Sequence, residues 1–399
     1  MADDIFILGG ARTPMAEYTG RLKDVSALDL GAIAARAAMD RTGVQPGMVN
    51  HVVFGNVLQT SADAVYGARH IGLKAGLPIA VAALTVNRLC GSGIQAAISG
   101  GQMIRLDEAD VVLTGGTESM SQAPHVIRGL RSGLRLGQGQ LEDTLWSALV
   151  DTHCGCSMAA TAENCAGKYG VSREEQDRYA LRSQQLAAAA WQAGRLSEEV
   201  VPVEIKSRTG TEIFAQDDHM RPDSTLEGLA RLAPAFSKNG CVTAGNASGI
   251  VDGGAALLLA SATGVKTHGL KPLARLTHWA AAGVDPALMG MGPVPATRMV
   301  LEKAGLELKD IDLIEVNEAF AAQYLSVEKE LGLDRDRVNV NGGAIALGHP
   351  LGMTGTRLLL TLVLELRRRG LGRGLAAACI GGGQGIAALI EVDRPHGQS

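Results

Sequence analysis

Three short segments recur in the same order in the first and last thirds of the chain. Thr42-Gly43-Val44 leads into His51-Val52-Val53-Phe54-Gly55-Asn56, and Ala304-Gly305-Leu306 leads into Asp312-Leu313-Ile314-Glu315-Val316-Asn317. Val86-Asn87 and Val340-Asn341 each open a glycine-rich turn before a helical stretch. Val111-Val112-Leu113-Thr114-Gly115-Gly116 is matched by Ala376-Ala377-Ala378-Cys379-Ile380-Gly381-Gly382. One such pair means little, but three in one order predict an internal duplication with insertions. A duplicated chain has to build two similar halves, and this excludes most other architectures.

Short β-branched runs alternate with Ala- and Leu-rich stretches, which predicts an α/β protein with buried sheets. Strands are expected over residues 5–8, 49–55 and 109–114, and a helix over 26–40. From about 121 to 244 the chain is more polar, with one long helix over 172–193 opened by the capping-box pattern Ser172-Arg173-Glu174-Glu175. An apolar run returns at 249–262, read as the strand that completes the first half. The expected division is 1–121 with 250–270, an insertion over 122–249, and 271–399.

Composition narrows the function classes. Of 399 residues 51 are glycine, nearly twice the usual ~7%. They are interleaved with aliphatic residues and carry no Gly-X-Y period, which excludes collagen and a disordered tract. A net charge of −4 leaves no field for nucleic acid. The start of the chain lacks a basic n-region, and the C-terminal apolar stretch 374–390 is short and glycine-studded, so neither a signal peptide nor membrane insertion is expected. Six cysteines without a secretion signal suggest reduced thiols, and the expected location is the cytoplasm.

Four residues stand where chemistry is usually done. Cys90, in Asn87-Arg88-Leu89-Cys90-Gly91-Ser92-Gly93, opens a helix whose dipole favours a thiolate; a small buried thiol is the alternative. The same segment contains Gly91-x-Gly93-x-x-Ala96, a weak dinucleotide-binding match. Cys379 ends an apolar strand before glycines whose N–H groups could meet an oxyanion, or it is a core cysteine. His349, before Pro350 at a helix N-terminus, is pushed towards the neutral form or simply packs there. Asn317 caps a helix or holds a water or carbonyl oxygen at the end of a strand.

Taken together, Asn-Arg-Leu-Cys-Gly-Ser-Gly, Gly-Gly-Thr-Glu-Ser-Met, Thr-Ala-Gly-Asn-Ala-Ser-Gly, Val-Asn-Glu-Ala-Phe, Asn-Gly-Gly-Ala-Ile-Ala-Leu-Gly-His-Pro-Leu-Gly and Cys-Ile-Gly-Gly-Gly-Gln-Gly stand in thiolase order. The chain closely resembles thiolases, both acetyl-CoA acetyltransferases and 3-ketoacyl-CoA thiolases, over nearly its whole length. The resemblance implies a five-layered αβαβα core of two α/β halves with an inserted CoA-binding loop domain. It implies acyl transfer between CoA thioesters by Claisen chemistry: Cys90 takes the acyl group, His349 accepts the Cys90 proton, and Cys379 moves the α-proton. Two oxyanion holes follow, one from His349 with a water on Asn317, the other from the N–H groups of Cys90 and Gly381.

By the same resemblance Met158, Arg221 and Ser248 match CoA-contacting positions, and Met289, Ala319 and Phe320 line the acyl end. Acetyl-CoA, 3-ketoacyl-CoA and CoA are the implied partners, with no further cofactor. Ser157 stands where many acetoacetyl-specific relatives carry His, and residues 217–222 and 225–227 look more like the 3-ketoacyl-CoA branch. A homo-oligomer, dimer or tetramer, is implied. In tetrameric relatives a basic loop nears the neighbour's CoA site, where this chain offers Arg128, Arg131 and Arg135. His153-Cys154-Gly155-Cys156 lacks a second ligand pair, so no metal is expected. A non-catalytic acyl-CoA-binding relative is the alternative, whereas a ketosynthase would normally place a second His where Cys379 stands.

Overall fold

Strand order repeats where the sequence repeats. The first half contains β1 (Phe6–Arg12), α1 (Ala27–Thr42), β2 (His51–Gly55), β3 (Ala82–Val86), α2 (Ser92–Arg105) and β4 (Val111–Glu118). The inserted segment carries α3 (Met158–Tyr169) and α4 (Arg173–Gln192), after which β5 (Val251–Ala260) returns to the first half. The second half contains β6 (Ala274–Gly283), α5 (Pro293–Ala304), β7 (Leu313–Val316), α6 (Ala321–Leu331), α7 (Leu351–Arg369), β8 (Arg373–Ile380) and β9 (Gln384–Glu391). The computed structural model describes residues 4–207 and 210–393, so the first three residues of the N-terminal stretch lie outside the described residues.

In the first half the order is β3-β2-β4-β5-β1, with β2 parallel to β3 and β4, and β5 antiparallel to β4 and β1. In the second half a bridge at Val338 lies parallel to β7, followed by β7-β8-β9-β6 with the same alternation of directions. The two sets match strand for strand, which is the structural form of the repeat. They join through two residue pairs of β1 and β6, Phe6 with Arg275 and Ile7 with Ala274.

The period-two rule assigns the faces. On one face Val112, Leu257 and Leu259 pack in the cluster that holds Ile94 and Ile98 of α2 and Leu358, Leu362 and Leu366 of α7. On the other, Val111, Leu113 and Leu258 pack against Ala35 and Ala38 of α1. The outer face of the second half is covered by α5 and α6. Helix, sheet, paired helices, sheet and helix make the five expected layers.

The central helices cross at glycine. Gly93 has no room for a Cβ because the backbone of Thr356 occupies the place, and Gly355 is closed in the same way by Ile94. The match to a dinucleotide fingerprint is thereby explained differently: Gly91 faces Ile380 and Ile386, and Gly93 faces the other half of the protein. Both of its glycines serve packing.

Local signals fall close to their expected places. The Ser172 hydroxyl accepts from the Glu175 N–H at 3.2 Å while the Glu175 carboxylate accepts from the Ser172 N–H at 2.7 Å, the reciprocal cap of α4. Pro350 caps α7 rather than occupying its first helical position, and Gly370 closes it with φ +66°. Asn317 is no helix cap, since α6 begins four residues later behind Phe320. Among the described residues no helix is long and apolar enough to cross a membrane.

Candidate active site

Each candidate residue is delivered by the end of a regular element. Cys90 sits in the tight turn between β3 and α2, directly after Leu89, which holds the left-handed value φ +46°. Cys379 is the penultimate residue of β8 and is fully buried. Asn317 follows β7, and its N–H donates to the Ala377 carbonyl of β8 at 2.9 Å. His349 immediately precedes the Pro350 cap of α7, after Gly348 at φ +96°.

These ends converge. Asn317 Nδ2 lies 3.3 Å from His349 Nε2. On the other side of the ring, Nδ1 is 2.6 Å from the Thr354 hydroxyl, which itself donates to the Pro350 carbonyl at 3.0 Å. A hydroxyl carries one proton. With that proton committed to Pro350, Thr354 accepts from Nδ1–H, and the lone pair is left on Nε2. Burial, with the Arg357 cation second, lowers the His349 pKa to about 3. The imidazole is neutral at physiological pH, and burial rather than the helix N-terminus is the main cause.

Cys90 departs from expectation. Burial pushes its thiol up to about 11, against the N–H groups of Gly381 and of Cys90 itself, which favour the thiolate. Desolvation therefore outweighs the helix N-terminus, and the resting group is a thiol that needs a base. The same contact places the Gly381 N–H on the Cys90 sulfur. Cys379 is raised further, by burial and then by the nearby Cys90.

Above these groups opens a cavity of about 300 Å³. Its lining is mainly apolar, including Met120, Leu145, Trp146, Met158, Phe320 and Leu351, with His349 and Ser248 among the few polar contributors. Met289, Ala319 and Cys379 form a cluster against which Met158 and Phe320 pack. The segment bearing Ser248 is fixed by backbone bonds, Ser248 N–H to Ala319 at 3.1 Å and His349 N–H to the Gly249 carbonyl at 2.9 Å. Arg221 is not brought into this cavity. Its exposed guanidinium pairs with Glu17 and lines a second groove beyond Ala244 and Gly245.

The Asn317 Oδ1 is buried without a partner, the expected state of an amide that takes up a water. No group of three or more metal-ligating side chains occurs among the described residues, and the Cys156 thiol lies 3.7 Å from the Cys154 carbonyl. Two contributors escaped the sequence reading. Thr354 gave no signal beyond its position five residues after His349, and Glu118 was visible only as part of Gly-Gly-Thr-Glu.

A thiol in a tight turn, a buried histidine and a second, buried thiol thus lie beside an apolar cavity on a duplicated α/β core. The family model "Thiolase, N-terminal domain" matches residues 5–263, and "Thiolase, C-terminal domain" matches residues 270–392. The chain belongs to the thiolase family. It is 54% identical to the mitochondrial 3-ketoacyl-CoA thiolase of Homo sapiens over 97% of this chain and 98% of that one. It is 50% identical to the acetyl-CoA acetyltransferase of Pseudomonas aeruginosa, over 98% of this chain and all of the other. A crystal structure of the human mitochondrial enzyme in complex with CoA superposes with a TM-score of 0.96, at 53% identity and 98% coverage of both chains.

The chain is thus an acyltransferase whose reaction is acyl transfer between CoA thioesters. One expectation is corrected. Several of these relatives are mitochondrial proteins, so the cytoplasmic placement drawn from the missing signal peptide is not supported. An absent secretory n-region says nothing about other compartments.

Proposed function

We propose that the chain interconverts 3-ketoacyl-CoA and CoA with acyl-CoA and acetyl-CoA through an acyl group on Cys90. His349 Nε2 takes the Cys90 proton as the sulfur attacks the thioester carbonyl, and the Cys379 thiol protonates the departing CoA sulfur, which leaves Cys379 as a thiolate. Cys379 then removes an α-proton from acetyl-CoA, and the enolate carbon attacks the Cys90 thioester. The new C–C bond forms as the C–S bond to Cys90 breaks, and His349 returns its proton to the Cys90 sulfur. In the degradative direction Cys379 returns that proton. The enolate oxygen sits between His349 and a water on Asn317, and the thioester oxygen between the N–H groups of Cys90 and Gly381. The observation that carries this reading is the His349 arrangement, with Nδ1 engaged by Thr354 at 2.6 Å and Nε2 turned to Asn317 at 3.3 Å. The Nε2 lone pair, which accepts from Asn317 Nδ2 in the resting site, is then the position that takes a proton.

Met158 and Ser248 hold the CoA arm in this reading, Met289, Ala319 and Phe320 bound the acyl end, and Arg221 meets the nucleotide after releasing Glu17. CoA thioesters are substrates, and no cofactor is invoked. Acyl groups longer than acetoacetyl belong to the substrate class in this reading, supported by the likeness to 3-ketoacyl-CoA thiolases. The chain acts as a homo-oligomer, dimer or tetramer, supported by the unpaired edge of β3, where Leu84 is 42% exposed. The division into residues 1–121 with 250–270, 122–249 and 271–399 is part of the same proposal.

The test is mass spectrometry of the acyl-enzyme together with α-proton exchange. Cys90→Ala abolishes the acetyl adduct formed from acetyl-CoA, and Cys379→Ala blocks exchange of the α-protons. Normal turnover in either variant would sink the mechanism. Cleavage rates across short to long 3-ketoacyl-CoAs test the substrate class, and a sharp preference for acetoacetyl-CoA overturns it.

A further inference from the structure

Glu118, the last residue of β4, is fully buried, and its carboxylate has no part in the chemistry proposed above. Four hydrogen bonds reach it, all from neutral groups. Its Oε1 accepts from Asn56 Nδ2 at 3.1 Å and the Leu58 N–H at 3.0 Å. Its Oε2 accepts from the Val57 N–H at 3.1 Å and the Gly352 N–H at 2.9 Å. A buried carboxylate with no paired cation is costly to keep, so its connections call for an explanation.

The connections lead to both reacting residues. Gly352 lies in the first turn of α7, three residues after His349. On the opposite branch, the carbonyl of Val57 accepts from Asn87 Nδ2 at 3.2 Å, and Asn87 Oδ1 accepts from the Leu89 N–H at 2.9 Å. Leu89 is the left-handed residue that aims Cys90. Leu58 and Leu351, one from each branch, pack in a cluster with Met120 against which Cys90 rests.

We infer that Glu118 is a positioning residue that sets the nucleophile turn and the histidine loop against each other. The two loops come from different halves of the duplicated fold, and no covalent connection fixes their spacing. One carboxylate bonded to both does. The inference rests on the assignment of Cys90 and His349 as the reacting pair.

Electrostatics agree with the geometry. Burial holds the Glu118 pKa up at about 7, with Asp252 adding to it and the Leu58, Gly352 and Val57 N–H groups opposing. Its charge in turn raises the Cys90 pKa. Asp252 and Cys90 are the titratable groups that interact with it.

The test uses Glu118→Gln and Glu118→Asp in the full-length protein, with Asn87→Ala as a variant that spares the buried site. Glu118→Gln lowers kcat on the order of 10- to 100-fold with KM within about threefold, less than the roughly 100- to 1,000-fold cost of losing a direct oxyanion donor, because Glu118 acts through other residues. Glu118→Asp recovers part of that loss. Asn87→Ala slows acyl-enzyme formation from acetyl-CoA several-fold at an unchanged Tm. The pH midpoint for iodoacetamide alkylation of Cys90 falls in Glu118→Gln and stays in place in Asn87→Ala. The inference is overturned if Glu118→Gln keeps kcat within twofold, if its loss only follows the folded fraction, or if Asn87→Ala acylates at the normal rate. If the wild-type protein forms no adduct on Cys90, the catalytic assignment fails first and takes the inference with it.

Discussion

At the scale of single residues, the structure turns on which proton sits where. Thr354 makes His349 a base at Nε2 by holding Nδ1–H, a job that needs an acceptor whose own proton is already committed. Thr354→Val keeps the shape and removes the acceptor. It leaves Nδ1 unpartnered in a buried site, so kcat falls by about 10- to 100-fold while KM changes little. Thr354→Ser preserves the hydroxyl and most of the activity. Steady-state kinetics with acetoacetyl-CoA decide this, and an unimpaired Thr354→Val removes the tautomer argument. The histidine itself was legible in Gly-His-Pro-Leu-Gly. Its partner was not, because a hydroxyl five residues further on looks like any other helical threonine until the ring is built. Nor was the state of Cys90 legible, since the burial that keeps it a thiol comes from segments remote in sequence.

At the scale of elements, the contact between α2 and α7 governs how close the halves approach. Gly355→Ala places a methyl group against the backbone of Ile94, where neither helix can yield without shifting the other. The expected cost is about 1–3 kcal/mol of stability, as for other overpacked contacts. Thermal melts compared with Gly167→Ala, an exposed site open around its Cα, check it. A Tm equal to that control would show that the helices have slack. The duplication was readable from the repeat, because the recurring segments lie on β2 and β7, on β4 and β8, and at the end of β3 and beside the bridge at Val338. The order of the strands in the sheet was not. The direct β1 to β6 link was not readable. It joins residues 6–7 to 274–275 through backbone hydrogen bonds, and such bonds carry no side-chain signature.

At the scale of the whole molecule, buried titratable groups shape the response to pH. His349 titrates near pH 3 when folded and near 6.5 when unfolded. Above pH 6.5 it is neutral in both states and has no effect. As pH falls from 6.5 towards 3 the unfolded chain takes up its proton first, so stability is progressively lost. Glu118 and Glu315 act in the other direction, with folded values raised to about 7 and about 8 by burial, so the folded chain holds their protons longer and loses stability as pH rises above 4.5. His349→Gln is expected to make the change in Tm from pH 6.5 to 4.5 more favourable than in the wild-type protein, without changing the alkaline side. Equal slopes in the two proteins would mean that the imidazole is solvated.

The proposed reacting groups are divided between the repeats. Cys90 comes from the first, while His349, Asn317 and Cys379 come from the second. In the proposed reaction neither half therefore holds a complete set of reacting groups, and the two must stay docked for turnover. A strand order present twice and a proposed reaction centre present once make the contact between the halves part of the site.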